Sequence, residues 1–366
     1  MTTIHKLHFI AALCVAAGCS GASAQSTGNV IISGVVDAYA GTRQLAGGER
    51  VTKVDSSGMS TSQLNFSGTE DLGGGLRGEF AIGMFFRPDG GEQGRFDGDV
   101  FWSRSAYVGI ASPLGTVRLG RQGTPTFLNY IRTNAFDDST VLGPVFMQTW
   151  VAAIAQGTQF LGTGAPPARR TLTAPLGTSD TTWNNAVAYI SPSIGGTVFQ
   201  AQWAPGEGGG VGSRYSVNVF HSGGPLMVGL STEHIGDKSV PAAGPAAAVI
   251  SSQTNWELTG AYAFRFGRLN AGVLRTSRDY ESIADDSILT VHVGASIPVG
   301  RGTVLAAVAN SRQRPDVGSK MTRTTTSVGY SYAFSKRTDV YSVVMNDRFT
   351  DLDSGNSVGL GIRHRF

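Results

Sequence analysis

The chain has 366 residues, with 29 Lys and Arg against 26 Asp and Glu, and a formal net charge of +3 is too balanced for a protein that works by covering nucleic-acid phosphates. No run of eighteen apolar residues follows position 24, which excludes a membrane protein built from spanning helices. Fifty residues are glycine, about twice the ~7% average usage, and both cysteines, Cys14 and Cys19, lie near the N-terminus, which excludes a disulfide scaffold or thiolate chemistry in the remainder.

Positions 1–24 read as an export signal. Lys6 stands between His5 and His8, an apolar run covers 9–17, and Ala22-Ser23-Ala24 supplies small residues for cleavage before Gln25. The run is too short to cross a bilayer as a helix, which needs ~20 apolar residues. A lipoprotein cut before Cys19 matches less well, because Ala16 stands where a larger aliphatic residue is usual.

From there the chain alternates. Stretch 30–39 places Val30, Ile32, Gly34, Val36 and Ala38 on one side, and 63–69 runs into a turn at 70–75. Stretch 76–84 then faces Leu76, Phe80, Ile82 and Met84 one way and Arg77, Glu79 and Ala81 the other. Stretches 102–111 and 116–122 flank the turn Ser112-Pro113-Leu114-Gly115 and make a hairpin.

The connection 123–183 breaks the rhythm, and loops beyond ~12 to 15 residues in a compact fold are usually functional or disordered. This one carries Phe127, Tyr130, Phe136, Phe146, Trp150 and Phe160, too apolar for a solvated tail, so it is expected to fold inward and narrow an enclosed lumen. Alternation resumes at 186–191, 197–204, 214–220, 226–234, 255–264, 269–278, 288–297, 303–311, 323–334, 339–345 and 357–366. The last stretch puts Val358, Leu360, Ile362, His364 and Phe366 on one face and Arg363 and Arg365 on the other, and it stops on an aromatic ring. Sixteen such stretches, each near the ~9 to 11 residues a tilted membrane strand needs, predict an all-β, sixteen-stranded antiparallel transmembrane barrel over residues 25–366.

Five ordered segments carry a family resemblance. They are Gly34-Val35-Val36-Asp37-Ala38, Gly68-Thr69-Glu70-Asp71-Leu72-Gly73-Gly74-Gly75-Leu76, Ala106-Tyr107-Val108-Gly109 with the run from Ser112 to Gln122, Asn185-Ala186-Val187 with Tyr189, and Gly361-Ile362-Arg363-His364-Arg365-Phe366. Together they resemble the general trimeric porins of β-proteobacteria. The resemblance implies a homotrimer in the outer membrane, surrounded by lipids including lipopolysaccharide, that passes small hydrophilic solutes by diffusion. It also implies a third external loop folded into the pore and a basic inner wall that favours anions.

On that reading Arg77, Arg118 and Arg121 are the wall candidates, and Asp137 and Asp138 on the loop oppose them. Ile362, His364 and Phe366 form the terminal signal read by the barrel-assembly machinery. The chain departs from the family pattern where Gln63, Ser67 and Trp183-Asn184 replace expected basic residues, and where 165–170 is an apparent insertion. The first departure puts strong anion selectivity in doubt, whereas the insertion is expected either to tighten the pore or to bring Arg169 and Arg170 to its mouth.

An arginine is always charged and offers a rigid fork to carboxylate or phosphate, so an arginine-lined eyelet suits anionic solutes. Only four histidines follow the leader, His221, His234, His292 and His364, with no Gly-x-Ser-x-Gly elbow and no His-Glu-x-x-His spacing. No enzyme, metal site or cofactor is therefore expected. The alternatives to a general diffusion pore are a channel preferring particular small anions and, further off, a plugged structural barrel.

Overall fold

The computed structural model describes residues 29–149, 180–207, 212–238, 250–281 and 284–366. The leader expected at 1–24 and the insertion at 165–170 lie outside the described residues.

Sixteen strands form one antiparallel sheet. They are β1 (Asn29–Arg43), β2 in two segments (Val51–Ser56 and Gln63–Gly73), β3 (Leu76–Arg87), β4 (Ser105–Ser112), β5 (Gly115–Gly123), β6 (Thr182–Ile190), β7 (Thr197–Ala204) and β8 (Arg214–Gly223). The second half comprises β9 (Leu226–Lys238), β10 (Ile250–Phe264), β11 (Gly267–Tyr280), β12 (Asp286–Val299), β13 (Gly302–Pro315), β14 (Met321–Ala333), β15 (Thr338–Phe349) and β16 (Gly355–Arg365). Each pairs with its neighbours in sequence, and β16 pairs with β1 from Val35↔Arg365 to Thr42↔Val358, which closes the barrel.

Closure is completed by the last residue. The Phe366 amide donates to the Gly34 carbonyl at 3.1 Å, and the Gly34 amide donates to the Phe366 carbonyl at 3.0 Å. A side chain at Gly34 would lie 2.5 Å from the Phe366 ring, so the position that starts the closing ladder needs a glycine.

Burial runs opposite to that of a soluble sheet. On β8, Tyr215 and Val217 are exposed while Ser216 and Asn218 are buried; on β16, Val358, Leu360, Ile362 and His364 are exposed while Ser357 and Arg363 are buried. Apolar residues outward and polar residues inward are what a barrel in lipid with a polar lumen requires. The terminal strand therefore alternates as its sequence indicates.

The structure corrects several boundaries. Residues 51–56, which do not alternate in hydrophobicity, form the first segment of β2. The ladder breaks between its segments because the Asp37 carboxylate accepts the amides of Gly58 at 3.1 Å, Met59 at 3.0 Å and Ser60 at 2.8 Å, folding 57–62 out of register. Strand β4 starts at Ser105, and Trp102 sits in the preceding connection, edge-on to Phe101. Strand β10 runs for fifteen residues, beyond the membrane-thick part that hydrophobic alternation marks.

The long connection holds two short helices, α1 (Pro125–Arg132) and α2 (Pro144–Thr149). Eight and six residues are too few for a helical period to stand out in the sequence. Thr124 caps α1 by accepting the Phe127 amide at 3.2 Å, with Pro125 at the first helical position.

Candidate pore constriction

The described half of the connection is fastened along its length to inward-facing side chains of the wall. Near its start, Asn218 donates to the Pro125 carbonyl at 3.3 Å and to Asn129 Oδ1 at 3.0 Å, and the Thr133 and Thr259 hydroxyls meet at 2.6 Å. Strand β9 carries Gly229 opposite Asn129, where a Cβ would come within 2.8 Å of the amide group, so the helix lies directly on the wall. In the middle, Ser139 donates to the Gly58 carbonyl at 2.7 Å and Ser327 donates to the Leu142 carbonyl at 2.7 Å. Phe136, Val141 and Leu142 pack there with Tyr39, Met59 and Tyr341 in an apolar cluster inside the barrel. At the far end, Gln148 bridges Thr325 Oγ1 at 2.8 Å and Ser311 Oγ at 2.6 Å.

Beside this segment lies a cavity of about 460 Å³. Arg104, Arg118 and Arg365 line it from the wall, and Asp137 and Asp138 line it from the loop. Three of the five residues singled out in the sequence, Arg118, Asp137 and Asp138, thus meet across one space.

Arg118 projects from β5 with its Nε 2.6 Å from Glu79 Oε1 and its guanidinium carbon 4.6 Å from the centre of the Tyr107 ring. Asp138 accepts the Thr61 amide at 3.1 Å. Its pKa is raised, first by burial and then by the adjacent Asp137 charge, against the smaller opposing pull of that amide and of Arg363. Asp137, in a left-handed conformation (φ 46°), presents its carboxylate to the lumen 3.6 Å from Arg363 Nη1.

Two candidates lie elsewhere. Arg77 is on the inward face of β3, as alternation requires, but stands two positions beyond the Gly75 turn, exposed at the end of the barrel that carries the termini. Arg121 is buried and faces the connections: it donates to the Ser103 carbonyl at 2.9 and 2.6 Å, to Asn184 Oδ1 at 2.6 Å and to Asp180 Oδ2 at 2.6 Å. Alternation already sets Arg121 opposite Arg118, on the face of the exposed Val117 and Leu119, and at the irregularity between Gly120 and Gln122 it is buried against the connections instead of facing the membrane. Asp180 also takes Arg95 at 2.6 and 3.1 Å, and Arg95 in turn grips Asp99. Burial pushes the Asp180 pKa up, but Arg95 and Arg121 more than offset this and hold it well below the usual carboxylate range. The network ties the end of the long loop to the connection between β3 and β4.

Alternation misses Arg104, because counting back from Val108 and Ile110 puts it on the membrane face. The chain leaves regular extension at Ser103, whose hydroxyl takes the Phe85 amide at 3.0 Å and whose carbonyl holds Arg121, and this bend swings Arg104 into the lumen. Arg365 does carry a signal, since it shares the charged face of β16 with Arg363. Its Nη1 lies 3.0 Å from Asp339 Oδ1.

The Gram-negative porin family model matches residues 11–352. Among curated proteins, the chain is similar to outer membrane porin protein 32 of Delftia acidovorans, 30% identical over 341 residues that cover 90% of this chain and 86% of that protein. It is similar as well to an outer membrane porin protein of Bordetella pertussis, 25% identical over 83% of this chain and 82% of that one. Among solved structures, an anion-selective porin from Comamonas acidovorans superposes with a TM-score of 0.75 at 24% identity, over 93% of this chain and all of the other. An in-vitro folded outer membrane protein of Vibrio cholerae superposes at 0.66 and 15% identity, over 93% of this chain and 98% of its own. With a closed sixteen-stranded barrel, an inverted distribution of polar residues and a family match spanning most of its length, this chain belongs to the Gram-negative porins of the outer membrane.

Proposed function

We propose that the chain is a weakly anion-preferring diffusion pore whose constriction is the 460 Å³ space between Arg104, Arg118 and Arg365 on the wall and Asp137 and Asp138 on the loop. It works as a channel and not as an enzyme. The observation that carries the reading is Arg104: it lines the cavity and has no carboxylate within ion-pair distance among the described residues, whereas Arg118 is matched by Glu79 and Arg365 by Asp339. A cation with no carboxylate in contact, set in a narrow, low-dielectric wall, attracts anions and repels cations. Two loop carboxylates opposite it moderate the effect, so the preference is weak.

Arg77 acts earlier or later on the same path, as an exposed cation at the mouth nearest the termini. Arg121 serves the pore indirectly, by anchoring the loop through Asp180. Residues 1–24 direct export and are removed, and the exposed Ile362, His364 and Phe366 engage the assembly machinery.

The outer surface supports a trimer. Strands β1, β4 and β5 expose the aliphatic side chains Val30, Ile32, Val108, Ile110, Val117 and Leu119, whereas β7, β8 and β10 expose Phe199, Trp203, Tyr215, Trp256, Tyr262 and Phe264. Aromatic rings belong at lipid–water boundaries. The aliphatic side fits two further copies of the chain, and the aromatic side fits lipid.

The test is single-channel recording of purified protein under a salt gradient. Conductance in steps of three with a small reversal potential of anion sign is the expected result. A cation-sign potential would refute the preference, and a folded barrel without conductance would refute the open constriction.

A further inference from the structure

Helix α1 is amphipathic in the reverse sense to a helix on the surface of a soluble protein. Thr126, Asn129 and Thr133, spaced by three and four residues, turn to the polar inner wall, where they meet Ser216, Asn218 and Thr259. The remaining face is apolar: Phe127, Leu128 and Ile131 are half-buried and line the 460 Å³ cavity. Apolar surface left against water forgoes the stabilisation that burial brings, ~25 cal/mol per Å². A passage for hydrated ions alone gains nothing from such a ridge along its constriction.

Across the same cavity stand donors with nothing to donate to. Ser105 Oγ, Gln122 Nε2 and Gln202 Nε2 have no hydrogen-bond partner among the described residues, although these residues are only 6%, 5% and 4% exposed. All three line the cavity, as Arg104 does. A buried donor left unmatched is costly, so several together point to a partner that comes from outside the chain. Ser105 and Gln122 stand one residue beyond the paired Ala106 and Arg121 on adjacent strands, and Arg104 precedes Ser105. A guanidinium, a hydroxyl and an amide thus share one end of the cavity. Gln202 lies lower, level with Ala188 and Arg118. The unpartnered acceptors of the wall, Gln63 Oε1 and Gln200 Oε1, repel a carboxylate and so favour the Arg104 end.

Charge and shape limit the ligand further. Asp137 and Asp138 line the cavity from the loop, and like charge across a narrow space disfavours a second negative group on the ligand. Phe85, Tyr107 and Phe127 bring three rings to the same space, which suits another ring packed edge-on or offset. The volume falls within the ~300–1,000 Å³ of small-ligand sites, whose usual lining is apolar with a few convergent polar groups.

We propose that the constriction holds a subsite for small aromatic monocarboxylates, with the carboxylate at Arg104, Ser105 and Gln122 and the ring against Leu128 and Ile131. This rests on the channel reading and deepens it, because the ligand reaches the site only through the lumen. An apolar ridge facing unmatched donors is complementary to an amphipathic anion, whereas chloride or phosphate would use the donors and leave the ridge bare.

The experiment measures block of the potassium chloride current through purified protein in a planar bilayer, at low ionic strength where charge is least screened. The probes are benzoate, acetate, phthalate and benzamide. The concentration that halves the current is expected to be about ten-fold lower for benzoate than for each of the others. That preference equals about 1.4 kcal/mol, which burial of about 55 Å² of apolar surface supplies at ~25 cal/mol per Å². The double variant L128Q/I131Q should close most of the gap between benzoate and acetate, and R104Q should weaken block by both. Heat-modifiable electrophoretic mobility establishes that each variant has folded, and the wild-type probe series decides the assignment without any variant. An anion-sign current that benzoate blocks no better than acetate, phthalate or benzamide would overturn the subsite alone, as would an unchanged gap in the folded double variant. An absent current, or a cation-sign reversal potential before any probe is added, would overturn the channel reading and the subsite with it.

Discussion

Arg104→Gln removes the one arginine of the constriction with no carboxylate within 4 Å among the described residues. A unit charge ~5 Å from a passing ion contributes about 0.8 kcal/mol at the dielectric constant of water. Screening over a Debye length of ~10 Å at 0.1 M salt reduces this to about 0.5 kcal/mol. The anion loses that attraction and the cation is relieved of the same repulsion, so their ratio shifts by about 1 kcal/mol, or about five-fold in permeability. Arg118→Gln removes the same unit of positive charge and leaves the Glu79 carboxylate, now held at 2.6 Å, unpaired on the wall, so it should shift the ratio toward cations by a comparable amount, and Glu79→Gln should shift it the opposite way. The assay is the permeability ratio from the reversal potential under a ten-fold gradient of potassium chloride, repeated under a shallower, roughly three-fold gradient with ~1 M salt on the dilute side, where the Debye length of ~3 Å should erase most of the difference. A reversal potential unchanged by Arg104→Gln at low salt would refute the constriction drawn here. A shift of equal size at high and low salt would show the effect to be steric.

Further outcomes follow from other parts of the barrel. Asp180→Asn leaves Arg95 and Arg121 with one buried carboxylate, Asp99, between them; breaking such a pair costs about 3 kcal/mol, toward the low end because Asp180 keeps 30% exposure. The urea midpoint should fall, and channel noise should rise as the end of the loop loosens; an unchanged midpoint would contradict the anchoring role. Gly34→Ala drives a methyl to 2.5 Å from both the Phe366 ring and the Gln63 carbonyl, an overpacking of about 1 to 3 kcal/mol at the closing seam, read as a lower temperature of heat-modified mobility. Because the Asp138 pKa is raised by burial, this carboxylate takes up a proton at a higher pH than an ordinary aspartate. As pH falls, Asp138 should therefore be neutralised before an ordinary aspartate and move the reversal potential further to the anion side, and Asp138→Asn should flatten that dependence.

The fold was largely legible because period-two alternation is dictated by the pleat. Val358, Leu360 and Ile362 must share a face whatever else happens, and the structure exposes all three while burying Gly359 and Gly361 between them and Arg363 after them. The same logic put Arg77 and Arg118 on the inward side. It stopped working wherever the ladder is interrupted. A register shift at Gly120–Gln122 turned Arg121 into a loop anchor, and a bend at Ser103 carried Arg104 from its nominal membrane face into the lumen. Segment 51–56 was hidden for a related reason, since strand beyond the lipid has no hydrophobic face to betray it.

The sequence by itself determined that the chain is a barrel, how many strands close it, and which side chains each strand sends to either surface. These follow from the chirality of the residue and the two solvents the wall must meet, and they are local properties repeated sixteen times. Tertiary structure alone decided which of the wall arginines meet the loop carboxylates. Asp138 and Arg104 are 34 positions apart and come to one cavity because Ser139 reaches Gly58 and Ser327 reaches Leu142, contacts that no periodicity encodes. Pairings made by a folded loop against a distant wall depend on closure having already occurred, so they are properties of the assembled barrel and not of any stretch of chain.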